Sequence, residues 1–398
     1  MSTHRWSGTF LDSLKQQSDP LADAAFARIV ADGEQSRIGQ LFAGLDTNNA
    51  VPPADLFPQA SEFIAATGRL PAWVDLKRIQ DGEATFWKHA YGIALVLLAK
   101  SLPEGYAAPN LARVLNMSGD LRTRTYKRLL ATLQLVLNVS SCTGFTPNGR
   151  AIISAQKLRL LHSGTRFIAR RTITDFEARY GVPVNQEDML GTILGFSLLV
   201  INGLRTLDAG LTTEEEEDFL YTWKVFGIMM GIHPPGEPEN PAYLPDDVAD
   251  AEEFYRQYRR RHYVGPSENR DGVLLGAANL AMLTEMIPRP LRWLGFGIVP
   301  RIVMQDLMGA EACGRIGIAP VRGHVFLKWL LSSVHRILAP KKKPTQHRLA
   351  KIIFGDMITG AYGGAVTFTV PASLDDLRHM VDPSRPAQAA HPSSIQRS

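Results

Sequence analysis

Residues 157–167 have the sequence Lys157-Leu158-Arg159-Leu160-Leu161-His162-Ser163-Gly164-Thr165-Arg166-Phe167. The apolar residues here recur at helical spacing, so residues 151–170 are predicted to form one helix. Arg159 lies three residues before His162 and Arg166 four residues after it, which places all three near one face. Two interpretations are open. The imidazole bonds a carbonyl beside arginines in ordinary ion pairs, or it is a metal ligand beside arginines that hold an anionic group.

A second segment, residues 122–138, has the same helical periodicity. Arg128 and Thr132 are four residues apart and therefore share a face. An arginine that faces an apolar pocket is costly without a partner there, so a buried pair of this kind indicates a site for a polar ligand. The alternative is a surface arginine next to a core threonine that bonds back to its own helix.

The rest of the chain is also predicted to be helical, because alternating strand-like runs are scarce. One all-α domain is expected over residues 21–375, between a flexible N-terminus (1–20) and a disordered tail (376–398). A short hairpin near 360–370 is left undecided. Helices are predicted over these ranges: 83–100, 122–138, 151–170, 185–207, 212–230, 247–263, 269–286 and 322–338.

Composition excludes several classes of protein. The chain has 398 residues, is 45% hydrophobic and 21% charged, and has a net charge of +4 with both signs mixed, which argues against nucleic-acid binding. The runs 259–261 and 341–343 are basic; they are expected to be solvated, with weak peripheral contact to an anionic membrane as the alternative. Cys142 and Cys313 are too few for a disulfide framework or a zinc site.

The lengths of the apolar runs and the short motifs narrow the class of protein further. The longest apolar runs, 91–99 and 193–204, are shorter than the roughly 20 residues of a membrane-spanning helix. Residues 1–20 have no apolar leader region, so a cytoplasmic protein is expected. The chain has no phosphate-binding loop, no Gly-x-Ser-x-Gly elbow and no His-Glu-x-x-His helix.

Four blocks in a fixed order resemble the MpaB-type and rubber oxygenase catalytic domain family, which includes the latex-clearing proteins. Arg159-Leu160-Leu161-His162 with Arg166 is similar to the family's proximal segment, and Arg128 with Thr132 to its distal pair. Residues 183–190, and 211–216 running into Trp223, are the other two blocks. The resemblance covers roughly residues 70–320.

The resemblance implies a heme b protein with a globin-like helical core and additional helices around the heme pocket. His162 would be the proximal iron ligand, Arg159 and Arg166 would lie at the heme propionates, and Arg128 and Thr132 would act in the distal pocket. The implied reaction is oxidative cleavage of a carbon–carbon double bond by dioxygen, in a small apolar substrate. Oligomeric state and substrate identity are not implied.

Two departures from the family pattern bear on substrate. Rubber-cleaving members have a distal lysine and a glutamate where this chain, by ungapped count, has Ala131 and Ala112. Alanine neither binds iron nor accepts a proton, so rubber is not the expected substrate and the sixth iron position is expected to be open or water-filled. Two other functions stay open: a heme peroxygenase or peroxidase, and a heme-based gas sensor without turnover.

Overall fold

The structure is a computed structural model, and it describes residues 5–33, 38–51, 58–117, 121–141 and 143–323. Within these ranges there is no strand, and the helices form one helical domain, so the all-α prediction is confirmed. A π-helical turn, Leu97–Ser101, continues the fifth helix. The helices are α1 (Gly8–Lys15), α2 (Pro20–Ala31), α3 (Ile38–Gly44), α4 (Pro58–Thr67), α5 (Leu76–Val96), α6 (Leu102–Gly105), α7 (Pro109–Asn116), α8 (Leu121–Val139), α9 (Ala151–Thr172), α10 (Phe176–Tyr180), α11 (Gln186–Phe196), α12 (Leu198–Thr206), α13 (Thr213–Met229), α14 (Val248–His262), α15 (Arg270–Glu285), α16 (Arg289–Trp293) and α17 (Val299–Arg315).

Helix starts were the most accurate part of the sequence prediction. Thr212 caps α13 in a complete capping box with Glu215, and the Asn185 side chain accepts from the Asp188 backbone N–H at the start of α11. The predicted helix 185–207 is two helices, because the chain breaks at Ser197. The whole stretch Gln186–Thr206 is long and apolar enough to cross a membrane, and 67% of its most apolar window is buried inside the fold.

The N-terminus differs from its prediction. Residues 1–20 were expected to be flexible, but residues 8–15 form α1, whose Leu11 and Leu14 are fully buried. Trp6 is also buried, and its indole N–H donates to Asp250 at 2.7 Å. The polar composition of this segment concealed its three buried apolar residues, Trp6, Leu11 and Leu14. The predicted helix 322–338, the hairpin and the tail lie outside the described residues, as does Cys142.

Helix α9 lies between two hydrophobic clusters. Ile152 and Ala155 belong to the large central cluster, whereas Ile153, Leu160 and Ile168 belong to a smaller cluster built with α2, α3 and α4. Burial on two sides removes much of the apolar surface of α9 from water, at roughly 25 cal/mol per Å². The His162 helix is therefore an internal element whose orientation both clusters determine.

Candidate cofactor site on helix α9

The connection between α8 and α9 is fixed by Asn48, a residue about one hundred positions away in the chain. Its side-chain amide donates to the carbonyls of Gly144 and Thr146, at 2.7 Å each, and accepts from the Ile153 N–H at 3.0 Å. Gly149 has room for no side chain, because a Cβ would lie 1.8 Å from the Thr143 carbonyl oxygen. The turn is thus tight and cross-linked, which sets where α9 begins.

Polar contacts also join α9 to the elements beside it. Asn138 of α8 donates to the Ser154 hydroxyl at 3.1 Å. Gln156, fully buried, donates to the Ile64 carbonyl and the Thr67 hydroxyl of α4, both at 2.8 Å. Directional bonds of this kind fix the rotation of a helix about its axis, which apolar packing alone leaves looser. They hold the remaining side chains of α9 at defined angles.

Arg159 forms a buried two-point ion pair with Asp19, the N-cap residue of α2. Its Nε and Nη2 donate to the two carboxylate oxygens at 2.7 and 3.0 Å, and both side chains are 4% exposed. Burial alone would raise the pKa of Asp19, but the adjacent guanidinium outweighs it and the pKa is lowered. The pair therefore stays charged and ties α9 to α2.

Arg166, about two turns further along α9, is anchored in a similar way. Its Nε donates to Asp23 at 2.8 Å, its Nη1 to the Val184 carbonyl at 3.1 Å, and its Nη2 to the Ser163 hydroxyl at 3.0 Å. Val184 has a φ of +53°, a left-handed conformation that is strained for a β-branched residue. The block at 183–190 thus places a strained turn against the His162 helix, and Arg166 binds the carbonyl that this turn exposes.

Both arginines therefore match the ion-pair interpretation that the sequence left open. Asp19 and Asp23 on α2 occupy their guanidinium groups. Any additional contact of Arg159 or Arg166 with a bound cofactor stays a prediction.

His162 is partly exposed, and its buried Nδ1 has no partner among the residues that the structure describes. Burial, with a smaller contribution from the Arg166 guanidinium, lowers the pKa of His162 to about 4. The imidazole is consequently neutral at pH 7, the protonation state in which a ring nitrogen can bind a metal.

The accessible part of α9 is one continuous face. Leu158, Leu161 and Thr165, spaced three and four residues apart, are partly exposed together with His162. The neighbouring positions Arg159, Ser163 and Arg166 are buried. The side chains around the imidazole are thus predominantly apolar, in contrast to the ionic contacts on the adjacent face.

The distal pair is described only in part. Thr132 is partly exposed on α8, as is Ala131, whereas Ala112 on α7 is fully buried. The backbone of Arg128 lies in α8, but its side chain lies outside the described structure, so its position relative to His162 stays a prediction. Helix α8 packs directly on α9, which brings the two sequence segments together.

A charged cavity of about 400 Å³ lies elsewhere, between the π-helical turn and helices α12, α14 and α17. Its lining includes Lys100, Glu104, Tyr255, Arg259 and Arg315, and none of the predicted site residues. Tyr255 and Tyr263 bond to each other there at 2.7 Å. A lining this polar does not suit an apolar substrate, so we assign the cavity no part in the site around His162.

Sequence reasoning missed Asp19, Asp23 and Asn48. Asp19 before Pro20, with Asp23 in the first turn, is a recognisable helix start, and the structure confirms it as the start of α2. No spacing rule, however, reports that these acids pair with arginines about 140 residues later.

Comparison with known proteins agrees with this architecture. The curated rubber oxygenase of Streptomyces sp. (strain K30) is 23% identical over 223 residues, an alignment that covers 54% of this chain and 53% of that protein. The chain thus matches about half the length of this curated relative. The solved structure of latex clearing protein in the closed state superposes with a TM-score of 0.68 at 18% identity, covering 92% of this chain and 90% of the other, which shows a shared fold.

Residues 84–336, more than half of the chain, match the family described as ER-bound oxygenase mpaB/B'/rubber oxygenase, catalytic domain. This range contains His162, Thr132 and Arg128, and it leaves out Asp19, Asp23 and Asn48. The chain belongs to this oxygenase family.

Proposed function

We propose that this protein is a heme b-dependent oxygenase that cleaves a carbon–carbon double bond in a small apolar substrate with dioxygen. The observation that carries the proposal is the neutral, partly accessible imidazole of His162, which lies in the family's proximal segment.

The residues around His162 fit a heme. The imidazole is the usual nitrogen ligand of heme iron, and its neutral state leaves a lone pair available. The apolar face of Leu158 and Leu161 suits the porphyrin plane. The unbonded Nδ1 is the one point of tension, since a ligating histidine normally donates its second N–H to an acceptor. A water or a small shift toward a backbone carbonyl of α9 would satisfy it.

The proposed roles of the other residues follow from their chemistry. When bound, heme supplies the redox chemistry that makes dioxygen reactive toward an alkene. Thr132 offers a hydroxyl that orients a polar reactant, and Arg128 offers a fixed positive charge. The reaction balances without a reductant, because the two oxygen atoms of one dioxygen become the two carbonyl oxygens of the fragments. Arg159 and Arg166 act indirectly, by positioning α9.

The substrate is proposed to be a terpenoid or lipid-like alkene and not rubber. Ala131 and Ala112 offer neither an iron ligand nor a base at the positions where rubber-cleaving members have lysine and glutamate. Ala112 is fully buried, so a glutamate there would need space that the fold does not provide.

The first experiment measures heme binding. The purified protein is titrated with hemin and the bound heme is identified from its pyridine complex; one equivalent of heme b is expected. His162→Ala should lose most of this binding, whereas His89→Ala, which removes another largely buried histidine with an unbonded Nε2, should retain it. Equal heme binding by the two variants would refute His162 as the ligand.

The second experiment measures the reaction. The heme-loaded protein is incubated with squalene, with oleic acid and with a polyisoprene latex, and carbonyl products are trapped with a hydrazine reagent. Dioxygen-dependent carbonyls from the small alkenes, and none from latex, are expected. Turnover with peroxide alone would favour the peroxygenase, and reversible oxygen binding without any product would favour the gas sensor.

A further inference from the structure

A cluster of exposed apolar side chains lies in the connection between α15 and α17. Twelve large apolar residues are exposed in the described part of the chain, and six of them fall between residues 286 and 298. Trp293 is 90% exposed, more than any of the others. The six are Met286, Leu291, Trp293, Leu294, Phe296 and Ile298.

The local backbone explains why these side chains stay outside the core. Pro288 and Pro290 begin the five-residue helix α16, and Gly295 ends it with a φ of +92°. A 3-10 turn, Phe296–Ile298, then leads into α17. Neither α16 nor this 3-10 turn buries any of its residues. Single exposed apolar residues are ordinary, but a contiguous group marks a surface that contacts something else.

The same segment is positively charged. Between Glu285 and Asp306 there is no carboxylate, while Arg289, Arg292 and Arg301 all lie there. None of the three forms an ion pair with a residue that the structure describes, and the Nε of Arg292 is buried without a hydrogen bond. An exposed tryptophan and leucines flanked by unpaired arginines match the interface of an anionic bilayer, where rings and acyl chains meet headgroups.

We propose that residues 286–301, the apolar-arginine surface, bind peripherally to an anionic membrane. Leu291, Trp293 and Leu294 enter the headgroup region, and Arg289 and Arg301 contact lipid phosphates. A second copy of this chain fits less well, because a symmetric contact would bring two sets of three arginines together. The basic run 259–261 is a weaker candidate, since Arg261 is bonded to Glu187 and Asp12 and Arg259 lies 3.7 Å from Glu104.

The test measures co-sedimentation of the full chain with vesicles of phosphatidylcholine alone or with 30% phosphatidylglycerol. Binding to the anionic vesicles is expected, with a decrease of at least about tenfold for Leu291→Ser/Trp293→Ser/Leu294→Ser. The matched control is Val51→Ser/Leu76→Ser/Tyr91→Ser, which removes three exposed apolar side chains elsewhere and should bind like the parent protein.

Charge is tested in the same assay. Arg289→Glu/Arg301→Glu should lower binding at least about tenfold, since each basic residue near an anionic surface contributes about fivefold. Arg69→Glu/Arg260→Glu changes the net charge equally at two exposed arginines outside the surface and should change binding far less. Equal losses for both charge variants would reduce the effect to overall charge and overturn the proposal.

Tryptophan quenching identifies the contact directly. Brominated phosphatidylcholine in the anionic vesicles should quench part of the fluorescence, and Trp293→Phe should abolish that part. No binding to either vesicle would overturn the proposal. Protection of Trp293 from acrylamide in the absence of vesicles would also overturn it, because another part of the chain or a second copy would then cover the surface; light scattering distinguishes these two.

Discussion

Two adjacent faces of helix α9 differ sharply, and His162 lies at the boundary between them. On one face Arg159 and Arg166 are buried and bonded to the carboxylates of Asp19 and Asp23. On the other face Leu158, Leu161 and Thr165 are partly exposed beside the neutral His162, whose Nδ1 has no hydrogen bond to a residue that the structure describes. The same helix therefore carries a face that is complete without a ligand and a face that is not.

The arginine face anchors the helix, whereas the face that carries His162 is available to bind a ligand. Charged groups taken out of water need exact partners, so the arginine face has a single allowed position. Because these ion pairs fix the helix, the imidazole is held in place without using its own nitrogens as hydrogen-bonding groups.

The largest change is expected when the buried pair of the arginine face is broken. Asp19→Ala leaves the Arg159 guanidinium buried and uncompensated, which should lower the free energy of unfolding by about 3–5 kcal/mol. Urea denaturation followed by circular dichroism measures it. The exposed pair Arg28–Glu62, with side chains 60% and 73% exposed, is the control, and Glu62→Ala should cost under about 1 kcal/mol. Similar losses at both sites would show that burial is irrelevant here.

A smaller loss is expected at the turn that starts α9. Asn48→Ala removes three hydrogen bonds and leaves the Gly144 and Thr146 carbonyls without this donor. The cost should be about 2–3 kcal/mol, since unsatisfied backbone groups are expensive where water is excluded. Asn48→Asp keeps the acceptor for Ile153 but turns a carboxylate oxygen toward the two carbonyls, so it should recover none of the loss in the same denaturation experiment. If Asn48→Ala were as stable as the parent protein, the turn between α8 and α9 would be stable without the Asn48 hydrogen bonds.

The binding face is tested through pH. The pKa of His162 is about 4 in the folded state against about 6.5 in the unfolded chain, so between these values only the unfolded chain gains the proton. Stability is therefore lost as the pH falls, by about 2 kcal/mol at pH 5 relative to pH 7.5. The cofactor-free His162→Phe variant should lack this component.

Other groups also titrate between pH 5 and pH 7.5, and the His162→Phe variant isolates the contribution of His162. Burial raises the pKa of Asp188 to about 6, which makes stability rise as the pH falls, but this contribution is common to both proteins. Comparing the change in unfolding free energy between pH 7.5 and pH 5 in the parent and in His162→Phe cancels it. Identical changes would show that the pKa of His162 is the same in the folded and unfolded states, which contradicts the lowered value.

The smallest loss is expected at the second ion pair of the arginine face. The Asp23 side chain is 26% exposed, and Arg166 keeps the Val184 carbonyl and the Ser163 hydroxyl as acceptors. Asp23→Ala should therefore cost about 1–2 kcal/mol in the urea experiment, clearly less than Asp19→Ala. The reverse ranking would mean that the strained turn at Val184, and not the Arg159 pair, holds α9 in place.

Local signals in the sequence predicted the helices well, because caps and apolar periodicity act over a few residues. The capping box at Thr212 and the cap at Asn185 are examples. The break at Ser197 was not predicted, since an apolar run hides a change of helix direction when both halves are buried. The pairing of Arg159 with Asp19 was equally hidden, because a charged residue does not indicate which of 39 acidic residues it meets. The identity of His162 as the central residue came from a motif, whereas its missing bond came only from the fold.

The long-range contacts that hold α9 have a consequence for folding during synthesis. Asp19, Asp23 and Asn48 leave the ribosome long before their partners, and Arg159 follows Asp19 by 140 residues. At 5–20 residues per second, α2 waits about 7 to 28 seconds with its carboxylates in water. All three residues precede position 84, where the family match begins. The contacts that complete the His162 helix thus form only once α9 has been synthesised, and part of them comes from residues outside the matched catalytic region.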